Sequence, residues 1–188
     1  MIDLTPACQR TSDVLANVTD DQLAAGTPCD PMRLRDLVQH IGGLALAFAA
    51  AARKDFGPLT DTPPENTGEL DADWRTSFPA RLADLAKAWS DPAAWEGMSR
   101  AGGVDFPAEI GGLIALTEVV IHGWDVARVT GQPYGVDAES AAAVLRNVEQ
   151  TAAEGPVEGL FGPAVPIADD APVLDRIVAL SGRDPAWS

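Results

Sequence analysis

The chain is poor in the residues that usually announce a chemistry. It has two cysteines in 188 residues, Cys8 and Cys29, too few for a disulfide framework at this length. It has two histidines, His40 and His122, so any histidine metal site must use one or both. No CxxC, HExxH, GxGxxG, P-loop or GxSxG segment occurs. Positive charge is scarce: 13 Lys and Arg stand against 28 Asp and Glu, a net charge of −15. Phosphate backbones and anionic lipid repel such a chain, so neither nucleic-acid nor membrane-surface binding is expected. The longest apolar run, Ile41 to Ala52, has 12 residues, short of the roughly 20 that span a bilayer. The opening MIDLTPACQRTSD has neither a basic start nor an apolar signal segment. Together with the sparse cysteines it points to a reducing cytoplasm.

What the chain does have is apolar surface to bury. Hydrophobic residues make up 46% of it, enough for a core despite the charge. Much of that content is alanine, with few Ile and Phe, which favours helices over sheets. One domain over residues 1–188 is the expectation at this length.

Apolar periodicity places six helices. The first runs from Leu4 to Val18, with Thr5 as cap and Pro6 at the first helical position. Thr19 to Leu23 adds a short turn, and Ala24 to Pro31 is a loop. Arg33 to Arg53 carries Leu34, Leu37, Val38, Ile41, Leu44 and Phe48 on one stripe, with His40 on or beside it. Lys54 to Gly68 is a proline-rich loop, read either as a flap over a site or as a plain surface connection. Glu69 to Trp89 is a helix that Pro79 should kink. Ser90 to Pro107 is irregular, with at most a strand pair near Trp95–Met98 and Gly103–Phe106. Glu109 to Gly131 is the fourth long helix. Asp137 caps a fifth to about Ala153, the loop Gly155 to Asp170 packs back through GLFGPAVPI, and Ala171 to Leu180 is the sixth. The four long helices predict an all-α four-helix bundle over about 1–131, with a small helical appendage over about 132–188.

The stretch from Glu109 to Gly131 organises the rest. From Ile110 to Ile121 only Thr117 and Glu118 are polar, the pattern of a core helix. Yet Glu118, His122 and Asp125 lie at i, i+4 and i+7, within roughly 60° of one another on the helix. Such groups are costly to bury unless paired, hydrogen-bonded or bound to a metal. Glu118 and His122, one turn apart, are placed to share an ion, and His40 supplies a third ligand from across the bundle. A His2Glu set with open positions suits Zn²⁺, Ni²⁺ or Fe²⁺ rather than Ca²⁺ or Mg²⁺.

Each residue also has a plainer reading. His40 is then a core histidine bonded to a carbonyl, and Glu118 with His122 a buried ion pair. Asp125 either accepts a hydrogen bond from a ligand histidine or pairs with Arg128 at i+3, the second being preferred on spacing. Asp36 is read as a carboxylate near a helix N-terminus. Cys29 is read as a small buried residue, and Trp74, Trp89 and Trp124 as core or pocket wall.

The segments TPCDPMRLRDLVQHIGG (Thr27 to Gly43) and LTEVVIHGWDVARVTGQP (Leu116 to Pro133) resemble the two signatures of the mycothiol-dependent maleylpyruvate isomerase-like family. That family lies within the DinB-like metal-binding four-helix bundles. The tail from Phe161 to Trp187 is similar to that of an actinobacterial branch of it. The resemblance implies a metal triad at His40, Glu118 and His122, the residues reached above from spacing, with Asp125 in support. It implies a divalent metal, Zn²⁺ first and Ni²⁺ or Fe²⁺ as alternatives, and a low-molecular-weight thiol such as mycothiol. The thiol would attack a small electrophile, giving isomerisation if it leaves again and S-transfer if it stays. An acidic ligand would need a local arginine, for which Arg53, Arg75 and Arg128 are candidates. The isomerase that gives the family its name is expected to be longer, with an added C-terminal domain over its site, which puts maleylpyruvate in question as the substrate here. The competing expectation is a metal- or small-ligand-binding module without catalysis, using a bundle face for a homodimer. A third is a purely structural bundle whose two histidines and Glu118 bond among themselves.

Overall fold

A computed structural model describes residues 1–64, 69–156 and 161–188. Seven helices and one hairpin follow in chain order: α1 (Thr5–Ala16), α2 (Leu34–Arg53), α3 (Pro58–Asp61), α4 (Trp74–Trp89), β1 (Met98–Ala101), β2 (Val104–Pro107), α5 (Ala108–Thr130), α6 (Ala138–Glu154) and α7 (Val173–Leu180). The four long helices α1, α2, α4 and α5 form the bundle. Each of α1 and α2 packs on both α4 and α5. α6 and α7 form the appendage, with α6 on α5 and α7 on α6, while the short α3 packs on α2 and β1.

The ends of these helices follow local chemistry. The Asp3 carboxylate accepts from the Thr5 backbone N–H (2.9 Å), so α1 starts at Thr5 and not after it. Asp36 accepts from the Arg33 N–H (3.1 Å) and caps α2, its expected role. Asp137 caps α6 by accepting from Ser140 N–H (3.0 Å), and Gly131 ends α5 in the left-handed region, φ 67°.

Three expectations shift. Residues 69–73 do not join α4, because Asp71 is held sideways: its N–H donates to Gln39 (3.1 Å) and its carboxylate accepts from Arg81 (2.8 Å). The helix then runs unbroken across Pro79. The proline-rich loop contains α3, which Pro58 opens and whose N-terminal end Thr60 caps by accepting from Gly57 N–H (3.0 Å). The end of that loop, residues 65–68, and Gly159 and Leu160 of GLFGPAVPI lie outside the described residues. The strand pair exists but starts later, with Met98 opposite Pro107 and Ala101 opposite Val104, because Trp95 belongs to a 3₁₀ turn over Pro92–Trp95.

Alanine and glycine set how closely the helices approach. A Cβ added at Gly42 of α2 would meet the Phe78 ring of α4 at 2.6–2.7 Å. Gly42→Ala should therefore cost about 1–3 kcal/mol of stability by urea denaturation, despite alanine's better helix propensity. Among the described residues α5 is the one helix long and apolar enough to cross a membrane, but 83% of its most apolar window is buried inside the protein. It is the core helix that its composition predicts. Trp89 is wholly buried with it and donates its indole N–H to the Phe48 carbonyl (3.1 Å).

Candidate functional site

The polar stripe of α5 lies in the middle of the bundle. Glu118 is 6% exposed, His122 5% and Asp125 0%. Glu118 and Asp125 grip opposite edges of the His122 ring. Nε2 lies 3.0 Å from Glu118 Oε2, and Nδ1 lies 3.0 Å from Asp125 Oδ2. His40, half-buried on α2, brings its ring to 5.1 Å from that of His122, edge to face. One ligand atom each from His40, Glu118 and His122 lies within 4.8 Å of the others. Two helices from different parts of the chain thus bring together the three residues chosen from sequence.

The electrostatics follow from that packing. Burial alone would drive the His122 proton off, but hydrogen bonds to Asp125 and Glu118 outweigh it and raise its pKa to about 9. Burial likewise favours a neutral Glu118, yet His122 beside it and the charges of His40 and Arg183 bring its pKa below the usual range. His40 goes the other way. Burial, then the positive charge of His122, lowers it to about 4.

In chelator-treated protein the two histidines therefore act oppositely on stability. The folded pKa of His122 lies above the ordinary 6.5, so its contribution is complete below about pH 6.5 and is lost as pH rises through 9. That of His40 lies below 6.5, so its contribution is complete above about pH 6.5 and is lost as pH falls through 4. Unfolding by urea across this range should show the site's contribution greatest near the ordinary histidine pKa. Histidine NMR titrations should give one low and one high midpoint.

Asp125 has a different partner from the one spacing suggested. Arg128 is exposed, lies 5.5 Å over the Trp124 ring and donates to the Pro185 carbonyl (2.6 Å). The cation at Asp125 is Arg183, from the C-terminal segment after α7 and only 6% exposed. One of its NH2 groups lies 3.4 Å from Asp125 Oδ2 and 3.4 Å from Cys29 Sγ, and the other nitrogen donates to the Ser181 carbonyl (3.0 Å). Asp125 Oδ1 and Arg183 Nε, both buried, have no protein partner among the described residues. The other two candidate arginines lie elsewhere. Arg53 pairs with Asp84 on the surface, and Arg75 pairs with Asp20 and stacks on Trp74. Cys29 is half-buried, and burial, only partly offset by Arg183, holds its thiol up at about 11. Its sulfur, His122 and Asp125 form a second close group of potential ligand atoms. Sequence spacing had no means of finding Arg183, since nothing ties position 183 to position 125.

The site is not sealed. Glu118 also lines a cleft of about 260 Å³ between α5 and α6, with Phe161 in its wall.

Fold and site together define an all-α four-helix bundle in which His40, Glu118 and His122 come together as potential metal ligands. The family model of the mycothiol maleylpyruvate isomerase N-terminal domain matches residues 4–127, and the chain belongs to this family. It is 31% identical to the uncharacterised proteins MT0763 and Rv0738 from two strains of Mycobacterium tuberculosis, over 97% of this chain and 98% of theirs. Crystal structures of the mycothiol-dependent maleylpyruvate isomerase and of its histidine-to-alanine mutant share the fold, with TM-scores of 0.65 and 0.68 at 19% identity. The likeness covers 96% of this chain and 88% of those chains. More of those chains than of this one lies outside the likeness, in keeping with the greater length expected of the isomerase. The appendage here falls within the shared fold, and its segment after α7 supplies Arg183.

Proposed function

We propose that the chain is a metal-dependent enzyme that uses a low-molecular-weight thiol to isomerise, or to take up, a small electrophile. The observation that carries this reading is the convergence of ligand atoms from His40, Glu118 and His122 to within 4.8 Å of one another, with Glu118 also lining a cleft. The donor set fits a borderline divalent cation: two imidazoles and a carboxylate, within rotamer reach of an ion that binds each at about 2.0–2.2 Å. Zn²⁺ is the first choice, with Ni²⁺ or Fe²⁺ as alternatives. Such a cation lowers the pKa of a bound thiol, so that the nucleophile is available at neutral pH.

The rest of the work belongs to the chain. Asp125 accepts the Nδ1 proton of His122 and so keeps Nε2 turned toward Glu118 and His40. Arg183 lies 3.4 Å from Asp125 Oδ2, and its unpartnered Nε is a donor for an anionic part of a ligand. The apolar residues around the group exclude water that would compete with the thiol. Addition of the thiol and its later departure isomerises the electrophile; retention gives the thioether. Membership of the family whose name includes a mycothiol-dependent isomerase supports the thiol and the small-molecule substrate.

Metal analysis after zinc loading tests the reading first. About one equivalent is expected, and retention below about a tenth of an equivalent rules it out. Turnover of a small electrophile such as maleylpyruvate, measured by absorbance, should then require both metal and thiol. A module that binds without catalysis would hold metal yet show no turnover with any thiol. The cleft beside Glu118 favours the enzyme, because a purely structural site would be closed.

A further inference from the structure

The Nδ1 edge of His122 carries a second set of donors, apart from His40 and Glu118. Cys29 Sγ, from the loop before α2, and ligand atoms of His122 and Asp125 all lie within 4.8 Å of one another. His122 Nδ1 and Asp125 Oδ2 are already 3.0 Å apart. An ion bound to N, O and S at about 2.0–2.3 Å needs those atoms roughly 3–4 Å apart, so small side-chain rotations close the set.

Two further observations mark the place as one built for a cation. Asp125 is wholly buried, yet its Oδ1 has no partner among the described residues. Positive charge already stands there: one NH2 group of Arg183 lies 3.4 Å from both Asp125 Oδ2 and Cys29 Sγ. That contact to the carboxylate is long, and Arg183 Nε is also without a partner among the described residues. The guanidinium therefore fills the position loosely. Cys29 is half-buried rather than sealed in.

We propose that Cys29, His122 Nδ1 and Asp125 form a second cation site, selective for a thiophilic ion such as Cd²⁺ and exclusive with the His40–Glu118–His122 group. Selectivity comes from the sulfur, a soft ligand absent from the other set. As the S–Cd and N–Cd bonds form, the protons of the Cys29 thiol and of His122 Nδ1 pass to water. Thiolate and carboxylate then balance the two charges of the ion, and the guanidinium is displaced. Exclusion follows from the imidazole, because a neutral ring has one lone pair. With Nδ1 on the ion, Nε2 keeps its proton and donates to Glu118, 3.0 Å away. The ring is then lost to the other set. The exclusion rests on the metal reading of His40, Glu118 and His122; the cadmium site does not.

Titration of metal-free protein with Cd²⁺ reads the site through the ultraviolet thiolate-to-cadmium charge-transfer band. The band should saturate at about one equivalent in wild type. It should do the same in His40→Ala, which removes a donor of the other set alone. Cys29→Ser should abolish it, since Cys8, the other thiol, is buried elsewhere in α1. Arg183→Met should tighten Cd²⁺ roughly tenfold, because the ion no longer displaces a cation. In zinc-loaded wild type the band should grow only as zinc is released. No band in wild type, a band that survives Cys29→Ser, or one lost in His40→Ala overturns the site. A full band beside a full equivalent of retained zinc overturns the exclusion. Failure to hold zinc at all counts against the enzyme reading, while the band in metal-free protein still decides the cadmium site.

Discussion

His122→Ala is expected to abolish metal retention, from about one equivalent to below about a tenth, and turnover with it. The imidazole is one of only two in the chain, and both of its nitrogens are engaged, Nε2 toward Glu118 and Nδ1 toward Asp125. The same change should cost the metal-free protein about 3–5 kcal/mol, because Glu118 and Asp125 are left buried with one partner fewer. His40→Ala separates the two effects. It also removes a ligand and should also abolish metal retention. But His40 is half-buried and burial keeps it neutral, with its pKa near 4, so little stability should go with it. Equilibrium unfolding of both variants in chelator, beside metal analysis of each, reads the contrast. If both variants keep a full equivalent of metal, the triad is wrong. If they lose metal but unfold alike, the buried ion pair has been overvalued.

Arg183→Met is expected to lower the melting temperature by about 10 °C, from about 3 kcal/mol at this chain length. The direct contact to Asp125 is long, 3.4 Å, so the hydrogen bond itself contributes little. The cost comes from leaving Asp125, fully buried, without its cation. The segment after α7 would also lose its contact with Cys29 on the bundle side. Arg183→Lys keeps the charge but not the planar fork and should recover only part of the loss. A melting temperature within about 2 °C of wild type for Arg183→Met would show that Asp125 is held by His122 alone.

The bundle was legible because helical periodicity is a local property. The stripes that include Leu37, Ile41, Phe48, Phe78 and Leu82 name the helices, and the same residues are buried in the core. Where expectation and structure part, a side chain has competed with the helix. Asp71 is tied to Gln39 and Arg81 before α4 begins, a contact between residues 32 apart that no local rule anticipates. The triad was legible for a different reason. With two histidines in the chain there were few ways to build a histidine group, and Glu118 at i−4 from His122 named the third member that the fold brings beside them. Asp125 was read correctly as polar and buried but given the wrong cation. Spacing along α5 offers Arg128, which the fold turns outward onto Trp124.

From its residues alone, then, this chain determined its helical class, its core helix Glu109–Gly131, and the choice of His40, Glu118 and His122 as the group the fold brings together, because each depends on composition or on spacing within one helix. Only the tertiary structure decided what surrounds them. Placing Arg183 at Asp125 and Cys29, opening a cleft onto Glu118, and setting the two histidines at opposite ends of the titration range all require distant segments to meet. Burial and neighbouring charge act through space, and the sequence between those segments carries no measure of that distance.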